Sequence, residues 1–275
     1  MSIIPLDGRS LHVEESGDPS GRPYLLLHGW PESWRTWQPL MDAASPDARI
    51  IALDLPGIGG STGGVAGGSK AALASVVHSL VEQLSLTDLT LVGHDAGGMV
   101  AYAYLRRYPV DRVVIMNTVI PGVAPWNDVL RNPYIWHFGL HAVPSLPETL
   151  VRGRQAEYFD YFYDVLSVDP SRITPESRAA HVAAYESDTA LTAGFDLYRA
   201  FGQDAKDNAT LTEPTTTPLL YLRGDGEGGD ITAYAAGFRE AGIENLTTAI
   251  IQDAGHFAQE EQPTAVWSEI ESFAG

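Results

Sequence analysis

A short apolar run, Leu89 to Val92, leads into Gly93-His94-Asp95-Ala96-Gly97, and a helical pattern follows at once. A strand, a sharp glycine-flanked turn and a helix together present one side chain at the head of a sheet. Here that side chain is Asp95. A carboxylate so placed can attack an electrophilic sp³ carbon and form an ester, dividing one hard displacement into two easier steps. A serine there would suit acyl transfer instead. The structural alternative is that Asp95 only caps the helix behind it.

Two other stretches argue for chemistry. His28-Gly29 ends the run Arg22–Leu27, and His256 sits on a Gly-preceded turn between an apolar strand and the last helical pattern. A late histidine in strand–loop–helix context is a candidate general base, and it needs a carboxylate to fix its tautomer and stabilise the imidazolium. After the strand that follows the elbow helix stands Asn117, which carries no charge. After the next core strand stand Asp225, Glu227 and Asp230. Asp230 reads as a helix cap. His28, His78 and His181 read as structural, the last two because they fall in helical patterns.

With these residues in order, the chain resembles an α/β-hydrolase of the epoxide hydrolase-like branch. The stretches HGWP, DLPGIGGS, GHDAGG and GHFAQEEQP carry the resemblance, which spans nearly the whole chain. It implies Asp95 as nucleophile and His256 as base. It places the orienting acid three residues past the strand-ending Gly224, at Glu227, with Asp225 as the alternative. It implies an oxyanion hole from the backbone N–H groups of Trp30 and Ala96. Two cap tyrosines, Tyr161 of YFDYFYD and Tyr198 of DLYRAF, would polarise and protonate the opening epoxide oxygen; Tyr158 and Tyr163 would only pack. Dehalogenases share the scaffold and are the alternative. Against them, Trp and Arg do not follow the nucleophile: Ala96 and Met99 stand where a halide or carboxylate clamp would be. The resemblance implies no organic cofactor and no metal. A catalytically silent binder of the same fold is the third reading.

Such residues must be positioned by a sheet. Buried-strand patterns recur at Arg22–Gly29, Ala48–Gly57, Leu89–Asp95, Asp111–Thr118 and Thr217–Asp225, with helical patterns such as Lys70–Leu84 and Gly97–Tyr108 between them. That alternation predicts an α/β fold, a mostly parallel sheet flanked by helices. Asp7-Gly8 predicts a hairpin turn. From residue 122 to 205 the strand pattern gives way to aromatic-rich helices. The expected division is therefore a core of residues 1–121 and 206–275, with a helical cap of 122–205 inserted after the sixth strand. Trp126, Tyr134, Trp136 and Phe138 in the cap suggest an apolar or aromatic substrate of modest size. The Gly-rich stretch Gly57–Ser69 reads as a flexible surface loop, and a single last helix is expected over Ala258–Phe273. Of the 275 residues 44% are apolar, enough for a full core, and the net charge of −18 argues against nucleic-acid partners. No cysteine is present, which removes a thiol nucleophile. The N-terminus lacks a signal-peptide pattern, so a soluble cytoplasmic protein is expected. The expected partner is a small-molecule substrate, with no nucleic acid or membrane, and a homodimer is the one protein assembly considered.

Overall fold

Asp7 and Gly8, at φ 48° and 78°, close a two-residue turn between β1 (Ser2–Leu6) and β2 (Arg9–Gly17). Positive φ at both positions matches the right-handed twist of a hairpin. The structure is a computed structural model that describes residues 2–275. The remaining strands are β3 (Pro23–Leu27), β4 (Arg49–Leu53), β5 (Thr90–His94), β6 (Arg112–Met116), β7 (Leu219–Gly224) and β8 (Leu246–Ile251). They form one eight-stranded sheet in the order β1-β2-β4-β3-β5-β6-β7-β8. β2 is antiparallel to both its neighbours, and every other pairing is parallel. This is an α/β-hydrolase fold.

β3, β5 and β7 are buried along their whole length, as continuous apolar strands covered on both faces must be. Side chains alternate between two cores. Leu25, Leu27, Leu91, Val113 and Ile115 face the elbow helix and the cap. Leu26, Ala52, Val92, Val114 and Met116 face the last helix, with Trp37 and Trp267. The helices expected from the sequence run over Lys70–Gln83 and Ala96–Leu105. No helix is long and apolar enough to cross a membrane among the described residues.

Between β6 and β7 the chain forms only helices, among them Trp136–His141, Gln155–Leu166, Pro175–Ala184, Asp188–Arg199 and Phe201–Ala209. Their starts are chemically marked. Thr174 accepts a hydrogen bond from the Ser177 N–H with Pro175 in the first turn, and Ser187 accepts from Ala190. The helix Phe201–Ala209 runs through residue 205, where the sequence division falls, so the chain has no break at that point.

Two local expectations are corrected. Gly57–Ser69 lies at the surface as expected, with most of its residues exposed, but it is not free: the cap helices hold it at two points. The Gly59 N–H bonds to the Ala184 carbonyl, and a Cβ on Gly68 would stand 2.3 Å from the Asp196 backbone. Gly68, at φ 64°, is required there by both conformation and space. The last helix is two helices, Ala258–Glu261 and Pro263–Ala274. Gln262 lies at φ −136°, ψ 56° between them, because the residue before a proline is driven out of the helical region.

Candidate active site

β5 ends at His94, and Asp95 takes φ 49°, ψ −122° before the helix Ala96–Leu105 begins. That conformation is costly for a residue with a Cβ, and surrounding packing must impose it. The glycines make this possible. A Cβ on Gly97 would meet the Leu27 carbonyl oxygen at 2.2 Å, and one on Gly93 would meet the Gly97 oxygen at 2.3 Å. The helix can therefore start hard against β3 and β5. The Asp95 N–H bonds to the Met116 carbonyl at 3.1 Å, which fixes the turn to β6.

The two carboxylate oxygens of Asp95 have different surroundings. Oδ1 accepts the Trp30 N–H at 2.9 Å. Oδ2 lies 3.8 Å from His256 Nε2. Ala96 opens the helix directly behind, where first-turn N–H groups have no partner within the helix. The helix N-terminus also favours negative charge at this point. Trp30 is placed by the loop after β3, where the Glu32 carboxylate accepts the Gly29 N–H at 2.9 Å.

His256 Nδ1 donates to Glu227 Oε1 at 2.9 Å, and the other Glu227 oxygen lies 3.3 Å from Arg223. Burial opposes charge on Glu227, but Arg223 and His256 outweigh it and hold the carboxyl below its usual range. Asp225 turns away: it accepts the Ala254 N–H at 3.2 Å. Asp230 caps the helix Ile231–Glu240 by accepting from Thr232. Of the acids considered, Glu227 is the one in contact with the imidazole.

Two residues outside the sequence-based set hold the His256 backbone. Asn117, which offers no charge, donates from Nδ2 to the carbonyls of Gly255 and His256, each at 2.7 Å. His94 donates from Nε2 to the His256 carbonyl and from Nδ1 to Glu32, both at 2.8 Å. Burial works against charge on His94, but the Glu32 carboxylate pushes its pKa up to about 9. His94 lies within GHDAGG and Asn117 follows the strand after the elbow helix, yet only their partners reveal what they do. The structural histidines behave as expected. His28 is fully buried, accepts the Leu55 N–H and is kept neutral by burial, while His181 accepts the Ser33 N–H.

Above Asp95 and His256 lies a cavity of about 490 Å³. Its apolar wall includes Trp30, Val119, Phe138, Phe162 and Leu166. Tyr198 and His137 line it from the cap, with ring centroids 5.9 Å apart. Burial raises the Tyr198 pKa well above the ordinary tyrosine value, so the hydroxyl keeps its proton. Burial, with His256 nearby, depresses His137 to about 3, so this ring is neutral. Tyr161 is not brought to the cavity. It is 44% exposed and packs on Trp136 and Phe162. Tyr158 and Tyr163 serve packing: their hydroxyls bond to His141 and to the Pro31 carbonyl, each at 2.8 Å. Of the four cap aromatics noted in the sequence, Phe138 alone borders the cavity, and Tyr134 is 84% exposed.

An elbow aspartate, a histidine with its acid and an inserted cap over one sheet define a class of hydrolase. The family described as alpha/beta hydrolase fold matches residues 23–263. The chain belongs to that family, in its epoxide hydrolase-like branch. It is 30% identical over 270 residues to the soluble epoxide hydrolase of Corynebacterium sp. (strain C12), covering 95% of this chain and 92% of that one. Among solved structures it is similar to wild-type Cfl2 from Burkholderia cenocepacia, with TM-score 0.89 and 33% identity over 99% of this chain and 95% of that one. It is also similar to the epoxide hydrolase CorEH without ligand, with TM-score 0.89 and 27% identity over 99% and 97%.

Proposed function

We propose that this enzyme opens an apolar or aromatic epoxide to a vicinal diol through an ester on Asp95. The observation that carries the reading is the division of labour on one carboxylate. Oδ1 is held by the Trp30 N–H, and Oδ2 is turned toward His256 under the cavity. Oδ2 attacks a ring carbon, and the carbon–oxygen bond of the epoxide breaks. The developing alkoxide is stabilised by the Tyr198 O–H and a His137 N–H, and it takes its proton from Tyr198. His137 replaces Tyr161 in this role because it lines the same wall as Tyr198. His256 then removes a proton from water, and the hydroxide attacks the ester carbonyl. Negative charge builds on Oδ1, facing the Trp30 and Ala96 N–H groups. The Glu227 carboxylate stabilises the imidazolium, which returns its proton to the departing diol oxygen. The proton left on the regenerated Asp95 carboxyl passes to the Tyr198 phenolate, restoring both groups.

A single turnover in heavy-oxygen water tests this. The label is expected in Asp95 and not in the first diol released. Full labelling of that diol would mean direct attack by water. His256→Ala is expected to trap the ester as added mass on the intact protein, and Asp95→Asn to prevent it. Halide release measured in parallel on haloalkanes tests the dehalogenase alternative, which uses the same Asp95 and His256.

A further inference from the structure

The loop that carries His256 is tied to the cap as well as to the core. The His256 N–H donates to the carbonyl of Leu166, the last residue of the helix Gln155–Leu166, at 2.8 Å. Five residues past His256 stands Glu261, 1% exposed. Its Oε1 accepts the Gly255 N–H at 2.9 Å, and its Oε2 accepts the N–H groups of Val168 and Asp169 at 2.7 and 3.1 Å. One buried carboxylate thus bridges the peptide before the base to the cap segment leaving that helix. Its charge is met by backbone donors alone, since among the described residues no Lys, Arg or His forms an ion pair with it. The same segment reaches the acid's loop: a Cβ on Gly226 would stand 2.2 Å from Val168 Cγ2. Leu166 itself lines the cavity.

We infer that Glu261 is a positioning residue for the second half of the reaction, holding His256 in register with the cap. The inference rests on the epoxide reading above. It follows from which groups the bridge does and does not touch. Asp95, Trp30 and Tyr198 are held by other elements, so ester formation does not depend on it. Water activation depends on where the His256 ring stands over the ester, and misplacement by about 1 Å is enough to cost about a hundredfold. A bridge from the base's backbone to the cavity wall therefore acts on ester hydrolysis alone.

Two Glu261 variants separate charge from span. Glu261→Gln keeps the length and replaces one accepting oxygen with an NH2 group that opposes the N–H donors. Glu261→Asp keeps the charge but is one methylene too short to reach both sides. A third variant works from the cap. Val168→Pro deletes one donor at a half-exposed position whose preceding residue, Ser167, is already extended at φ −93°, ψ 150°. Rapid mixing with excess epoxide, read by intact mass and by diol release, gives the two steps separately. In Glu261→Gln and Glu261→Asp, ester formation is expected within about twofold of wild type, with hydrolysis slower by about ten- to a hundredfold and the ester accumulating. Val168→Pro should give the same pattern more weakly, and the pH profile of hydrolysis should shift in all three. Unchanged hydrolysis, or both steps falling together with melting temperature, overturns the inference. His256→Ala is the control. If it traps ester while the Glu261 and Val168 variants do not, only this inference fails. If no epoxide labels His256→Ala, the functional reading fails and takes the inference with it.

Discussion

On the helix Gln155–Leu166, Phe159, Phe162 and Tyr163 turn inward, and Tyr161 stands on the opposite face. Residues 159, 162, 163 and 166 share one face at helical spacing, and residue 161 is two positions, about 200°, from residue 159. That periodicity was legible in the sequence and outweighs a local motif likeness. His137 was not legible in the same way, since a histidine between Trp136 and Phe138 reads as one more packed ring until a cavity is seen beside it. Tyr161→Phe is expected to leave ester formation near the wild-type rate. Tyr198→Phe should slow it by about a hundredfold or more, as loss of a proton donor does, and His137→Phe should slow it to a smaller degree. Burst kinetics on one epoxide decide among them; a severe effect at Tyr161 alone would return the donor role to that residue. His94 makes a prediction about stability. Both its nitrogens face oxygen acceptors, and its pKa rises from 6.5 to about 9 on folding. A raised value means the stabilisation is complete below pH 6.5 and is lost as pH climbs through about 9. Melting temperature should therefore fall across that window in wild type and fall less in His94→Gln.

At the scale of elements, the strands and the elbow were legible because continuous apolar runs and paired glycines have few other uses. The break at Gln262 was legible too, in Pro263, but the amphipathic run on either side masks it. The pinned loop Gly57–Ser69 was not, because nothing local says that a cap helix will lie on Gly68. The same holds for the tie between Lys70, first residue of its helix, and Asp204 in the cap. Both are buried; the Lys70 ammonium and N–H each bond to Asp204, at 2.9 Å, and the ammonium also reaches the Leu197 carbonyl beside Tyr198. A buried pair is costly to break from one side. Lys70→Ala is expected to destabilise the fold by about 3–5 kcal/mol, and Lys70→Met with Asp204→Leu by much less. Chemical denaturation of the single and double variants measures both. Gly97→Ala should also destabilise, by about 1–3 kcal/mol, since its Cβ would overlap the Leu27 carbonyl.

For the whole molecule, the sequence supplies a net charge of −18 but not its placement, and placement is what a substrate meets. Asp128 and Asp230 border the cavity at exposed positions. Among the described residues that line it, Arg223 is the one Lys or Arg, and it is already engaged. It lies 3.3 Å from Glu227, donates to the Tyr221 hydroxyl at 3.0 Å and to the Gly228 carbonyl at 2.6 Å. An epoxide bearing a carboxylate therefore approaches a negative surface and finds no unpaired cation inside. Long-range charge of this kind acts on encounter rates and is screened by salt. For a matched pair of epoxides, one neutral and one carboxylate-bearing, kcat/KM is expected to favour the neutral member by about tenfold or more at low ionic strength. The gap should narrow as salt is added, and Asp128→Asn with Asp230→Asn should narrow it without salt. Preference for the anion at low salt would mean that Arg223 releases Glu227 to bind substrate. The orienting acid of His256 would then lose its charged partner during turnover, and the His256 pH profile would depend on which epoxide is bound.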